Sequence, residues 1–371
     1  MTPRRWFVLV IAGQSNAQGF AEALPEPADL EISERICQLG RYRGMRPDGA
    51  REDRWNKILP ATHVLDDVKD MRFANRRGNT KLRYSGTIGP GLFIARRLLP
   101  LLPEDYGILL LPQAHGGAGM VTGQRGTYLS ETESGQYLQP GASVGRAVYH
   151  YPGVADQNSN GAMCWGCTDA PLYLDTLHRI RYALNLHPDN RLLGVVWCQG
   201  ESDAHAGTEA ARRHGAAFTA MLDRFGKDLA DHQAQMPQRS WDAVPWLLMA
   251  ATYWWDDCKA THAMVLNTYR RLARQRPQQC IWMDMRLQSD GQPQTTNADF
   301  WLPAHQWPVA AQADQLPAAV TDARTCPPEM AHIHLSAEAY RGEVSARLAA
   351  ALRPHLQALL AEAGSTSLTE M

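Results

Sequence analysis

Six apolar runs of strand length recur along the chain, at 6–12, 36–39, 107–112, 192–198, 246–252 and 280–284. Several are unbroken in Val, Leu and Ile instead of alternating with polar residues, which is the pattern of strands covered on both faces. Segments of helical period lie between them, at 91–102, 171–186, 209–232, 262–275 and 337–363. In the last of these Leu348, Leu352, Leu356, Leu359 and Leu360 share one face, and Ser336 stands where an N-cap is expected. Strand and helix in alternation predict an α/β fold, a mainly parallel sheet with helices on both faces.

A chain of 371 residues suits one large α/β domain with insertions. Polar segments of low periodicity, at 41–84, 120–167 and 287–329, read as long loops. In an open α/β sheet such loops gather at the carboxyl edge of the strands, where ligands bind. One domain over 1–363 is expected, with 364–371 as a flexible tail.

Charge and hydropathy exclude several classes of function. Thirty-seven basic against 38 acidic residues leave a net charge of −1. That balance lacks the basic excess with which a nucleic-acid binder neutralises phosphates. The longest apolar stretches, 6–12 and 244–255, fall short of the roughly 20 residues that cross a bilayer. No small-residue cleavage site follows the first of them, so a soluble, cytoplasmic protein is expected. The seven cysteines are an odd number and widely scattered, which argues against a disulfide framework. Cys164 and Cys167 have metal-site or redox spacing, but no second such pair accompanies them.

Three polar clusters adjoin these elements. Gly13-Gln14-Ser15-Asn16 ends the first strand, where a serine is either a nucleophile presented at the sheet edge or a helix cap. Gln199-Gly200-Glu201-Ser202-Asp203 follows the strand at 192–198, placing amide and carboxylate groups on the same edge. His332 and His334 precede the final helix, one residue apart and so on opposite sides of an extended chain. No further ligand near them makes a metal site, and none is expected.

Taken in order, Gly13-Gln14-Ser15-Asn16, Pro112-Gln-Ala-His-Gly-Gly117, Gln199-Gly200-Glu201-Ser202-Asp203 and His334-Leu335-Ser336 resemble the blocks of SGNH-type carbohydrate esterases, sialate O-acetylesterase branch. The resemblance implies a flavodoxin-like three-layer α/β/α sandwich and serine esterase chemistry without a cofactor. Ser15 would be the nucleophile and His334 its base. The amides of Ser15 and Gly117 and the side chain of Gln199 would hold the oxyanion, with Glu201 and Asp203 in support. Most SGNH enzymes carry Asp three residues before the histidine; here that place is Ala331, so a Ser-His dyad is expected. Glu329 is close in sequence but is not expected to orient the histidine. The substrate implied is an O-acetylated sugar, most simply O-acetylated sialic acid. Gln14, Asn16, Arg125, Trp254 and Trp255 are the candidate substrate contacts. The alternatives are an acetylesterase of plant or bacterial polysaccharide and a catalytically silent carbohydrate-binding protein. Oligomeric state is not legible.

Overall fold

The computed structural model describes residues 5–21, 26–40, 43–45, 51–53, 56–63, 65, 88–120, 124–125, 162–163, 165–166, 170–256, 259–300 and 332–369. Seven strands form one sheet: β1 (Arg5–Gly13), β2 (Ile36–Leu39), β3 (Ile58–Pro60), β4 (Tyr106–Ala114), β5 (Arg191–Cys198), β6 (Trp246–Ala250) and β7 (Cys280–Asp284). Their order is β7-β6-β5-β1-β4-β2-β3. Every pairing is parallel except that of the edge strand β3 with β2. The expected parallel sheet is therefore observed with one antiparallel edge.

The helices are α1 (Ser15–Gln18), α2 (Gly91–Leu98), α3 (Pro171–Asn185), α4 (Glu201–His205), α5 (Thr208–Asp228), α6 (Ala260–Gln275), α7 (Ala337–Arg341) and α8 (Glu343–Thr369). Side chains of β1 alternate between two cores. Val8 and Val10 pack with Tyr173 of α3, Phe218 of α5 and Leu266 of α6. Phe7, Leu9 and Ile11 pack with Leu92 of α2 and with Val344, Leu348 and Leu352 of α8. Each such side chain contributes about 1.5–3 kcal/mol by leaving water, and a strand used on both faces has no room for polar residues. This explains why β1 reads as unbroken apolar sequence.

Three expectations change. The segment 41–84 contains β3, and also a small ladder of Arg43–Met45 with Arg51–Asp53. The single helix expected at 337–363 is broken at Gly342, whose backbone (φ −96°, ψ −118°) is not helical, and α8 then continues to Thr369. The helix expected at 209–232 ends at Asp228 and passes into a 3₁₀ segment, Ala230–Gln235. Most of 41–84, 120–167 and 287–329 lies outside the described residues, as do Cys164, Cys167, Glu329 and Ala331.

β1 is the strand from which the chain passes first to one side, through β2 and β4, and then to the other, through β5, β6 and β7. Gly13 is in register with Ala114 of β4 and Cys198 of β5. Three neighbouring strands thus end together at the topological switch, where an open α/β sheet leaves a crevice at its carboxyl edge.

Candidate active site

The polar clusters begin where those three strands stop. Gly13 has φ +130°, and a Cβ there would overlap the carbonyl of Cys198, so the close approach of β1 to β5 requires glycine. Gln14 N donates to Cys198 O at 2.8 Å and His115 N donates to Gly13 O at 3.1 Å, tying the strand ends together. The chain then turns into α1 with Ser15 at its first position. The amide and hydroxyl of Ser15 have no partner among the described residues. An amide at a helix start has none within its own helix.

Beyond β4 the amide of Gly116 donates to Gln18 Oε1 at 2.7 Å. Gly117 takes φ +78°, and its amide has no acceptor among the described residues.

Asn16 fixes the last cluster. Its Nδ2 donates to Ile333 O at 2.9 Å and its Oδ1 accepts Leu335 N at 3.1 Å. Both chain neighbours of His334 are thereby held by the residue that follows Ser15. Asn297 N also donates to His334 O at 3.0 Å, and the His334 ring lies 5.1 Å from that of Phe20, just past α1. His332, by contrast, stacks on Tyr253 at 5.6 Å. Ser336 caps α7 as expected, accepting Ala339 N at 3.1 Å.

The cluster after β5 is buried. Glu201 Oε1 accepts Asn16 Nδ2 at 3.3 Å, whereas Oε2 has no partner among the described residues. Burial, and after it the charge of Asp203, push the Glu201 carboxyl up to about 7, against the opposing pull of its hydrogen bonds. Asp203 goes the other way. Burial would raise it, but the hydrogen bond and charge of His214, with the Met120 amide and the Gln199 amide, hold it below the ordinary value. Gln199 is 0 % exposed and donates through Nε2 to Asp203 Oδ2 at 3.0 Å. That bond uses one of the two Nε2 hydrogens.

Several expected substrate contacts have other places. Asn16 is 0 % exposed and its amide is spent on the 333–335 segment and Glu201, so it positions the site instead of meeting a ligand. Gln14 is also buried, its Oε1 accepting the amides of Gly200 and Ser202 at 3.4 and 3.3 Å. Trp254 and Trp255 sit in a 3₁₀ turn that folds both rings inward against His262, at 4.1 and 5.5 Å. Within that aromatic run only Tyr253 is half-exposed. Arg125 lies on a two-residue strand paired with Ala162–Met163, and its side chain is outside the described part. Sequence reading missed His214 and Tyr269. The available signal was a histidine on the apolar stripe Ala211, His214, Phe218, Leu222, Phe225 of α5.

The seven-stranded, mostly parallel sheet with helices on both faces is that of an SGNH-type α/β hydrolase, and the chain is a carboxylic ester hydrolase. Residues 5–239 match the family described as carbohydrate esterase, sialic acid-specific acetylesterase, and the chain belongs to that family. It is 35% identical over 260 residues to a protein of Escherichia coli (strain K12) named probable 9-O-acetyl-N-acetylneuraminic acid deacetylase, covering 69% of this chain and 70% of that one. The crystal structure of NanS is similar with a TM-score of 0.69 and 30% identity, over 96% of this chain and 99% of that chain. Among the described residues no helix is long and apolar enough to cross a membrane.

Proposed function

We propose that this chain hydrolyses the acetyl ester of O-acetylated sialic acid through a Ser15–His334 dyad. The observation that carries the reading is the Asn16 clasp, which binds the main chain on both sides of His334 to the turn that holds Ser15. The names of the E. coli relative and of the family support the substrate.

In the first half-reaction Ser15 Oγ bonds to the acetyl carbonyl carbon while the His334 ring takes its proton. The carbonyl oxygen becomes an anion facing the amides of Ser15 and Gly117 and the second Nε2 hydrogen of Gln199. Collapse breaks the bond to the sugar oxygen, which leaves with the proton from His334. Water then attacks the acetyl-serine with the same base and releases acetate. The donors are fixed before the charge develops, and this preorganisation is the largest contribution expected of such a site.

The experiment compares acetate release from O-acetylated sialic acid and from acetylated xylan by the unaltered chain, Ser15→Ala and His334→Ala. Turnover of the sialic acid ester, lost in both variants, is expected. Preference for xylan would overturn the substrate, sugar binding without turnover would overturn the enzyme reading, and full activity in either variant would overturn the dyad.

A further inference from the structure

Next to Gln199 lies a buried polar network that the reaction as written does not use. Asp203 Oδ2 accepts three donors: Gln199 Nε2 at 3.0 Å, Met120 N at 2.8 Å and His214 Nδ1 at 2.9 Å. His214 Nε2 meets Tyr269 OH at 3.0 Å, and that hydroxyl also contacts Trp197 Nε1 at 3.0 Å and Gln199 O at 2.7 Å. All five side chains are fully buried. Gln199 is thus held twice, by Asp203 at its amide and by Tyr269 at its carbonyl.

Two contacts of the Tyr269 hydroxyl have partners of fixed character. A carbonyl oxygen only accepts and an indole N–H only donates. The single Tyr269 hydroxyl proton therefore goes to Gln199 O, and the hydroxyl accepts from Trp197. His214 Nε2 completes the contacts of the same hydroxyl. Its other nitrogen, Nδ1, faces the Asp203 carboxylate at 2.9 Å.

One atom is left out. Gln199 Oε1 is buried with no partner among the described residues, an arrangement that costs stability. Turning the amide over would not relieve it, because Oε1 would then face the Asp203 oxygen, acceptor against acceptor. The carboxylate enforces an orientation that sacrifices the carbonyl and keeps the second N–H aimed in one direction. Local rules broken at a price in this way tend to mark functional positions.

We infer that His214 and Tyr269 are positioning residues that aim the Gln199 amide at the oxyanion, His214 by fixing the Asp203 carboxylate that holds the amide and Tyr269 by anchoring the Gln199 main chain. The inference rests on the oxyanion role proposed for Gln199. Without His214 the Asp203 carboxylate would lose a partner that fixes it, and with it the hold on the Gln199 amide. Without the Tyr269 hydroxyl, Gln199 O would lose its donor and the strand end would loosen.

The test is a double-mutant cycle on the full chain with O-acetylated sialic acid as substrate. Gln199→Ala alone should lower kcat by about 10²–10³. Tyr269→Phe, which removes one oxygen and keeps the ring, should lower kcat about tenfold with KM unchanged. In the Gln199→Ala background the same change should alter kcat by less than about twofold, because nothing remains to be aimed. His214→Gln should behave likewise; should it fail to fold, Tyr269→Phe decides. Equal losses in both backgrounds, or a loss confined to KM, would overturn the positioning role while leaving Gln199 as oxyanion donor. Unchanged kcat in Gln199→Ala would overturn the oxyanion assignment, and this inference with it.

Discussion

Asn16 Oδ1 accepts the main-chain amide of Leu335 at 3.1 Å across 319 residues of sequence. The bond joins the turn after the first strand to the segment before the last helices, and His334 is the residue enclosed by it. Tyr340 OH reinforces the joint, donating to Asn16 O at 2.6 Å. Placing His334 therefore depends on an amide that need not touch substrate.

Asn16→Ala should cost about 2–4 kcal/mol of stability, since it strands the Ile333 carbonyl and the Leu335 amide in a buried place. Activity should fall further than stability explains, by about 10² in kcat, because small misplacements of a base are expensive. Denaturant unfolding and steady-state kinetics on the same preparation separate the two. A variant that unfolds more easily yet keeps kcat would show that the clasp does not place His334.

Glu201 predicts a pH dependence of stability. Its folded-state carboxyl titrates at about 7 against an ordinary value of 4.5. Between those values the folded chain holds a proton that the unfolded chain has lost, so stability falls as pH rises through this window and is level above it. The full effect is on the order of 3 kcal/mol. Glu201→Gln, which cannot ionise, should flatten the curve and be relatively more stable at pH 8 than the parent. Parallel Tm-against-pH curves for the two proteins would dismiss Glu201 as the source.

Gly13→Ala should not be tolerated. The added methyl meets the Cys198 carbonyl, a main-chain atom that cannot rotate away, in a backbone region (φ +130°) costly to residues with a Cβ. A loss of more than about 4 kcal/mol is expected. Near-native thermal stability of this variant would mean that the β1–β5 junction is looser than described.

His332 and His334 differ by one alternation and by partner. His332→Ala removes a ring stacked on Tyr253, outside the Asn16 clasp, and should leave kcat within about twofold. Loss of turnover in His332→Ala with activity kept in His334→Ala would exchange their roles.

Much of this was readable in the chain itself, for a physical reason. Strands buried on both faces admit only apolar residues, so β1, β4 and β5 stand out, and a polar residue just past such a run must lie at the sheet edge. Ser15 and Gln199 stand out that way, and Gly117 only through the resemblance of its block to the family's. β3 was not, because three residues at a sheet edge carry too little burial to leave a pattern. Trp254 and Trp255 misled because position after a strand suggests the crevice, while the 3₁₀ turn that folds them inward leaves no mark in composition. Asn16 and Gln14 read as ligand contacts in sequence because their partners, at 333–335 and 200–202, are near only in space. His214 was hidden on an otherwise apolar helix face, and nothing local discloses that its carboxylate lies eleven residues earlier.

The central claim is that Ser15 is a nucleophile activated by His334, and active-site labelling tests it most directly. The full chain is treated with a fluorophosphonate, which bonds to an activated serine, and the adduct is located by peptide mass spectrometry. The account predicts one adduct on Ser15, formed as fast in His332→Ala and lost or greatly slowed in His334→Ala. Labelling of another serine, or undiminished labelling of Ser15 in His334→Ala, would contradict it.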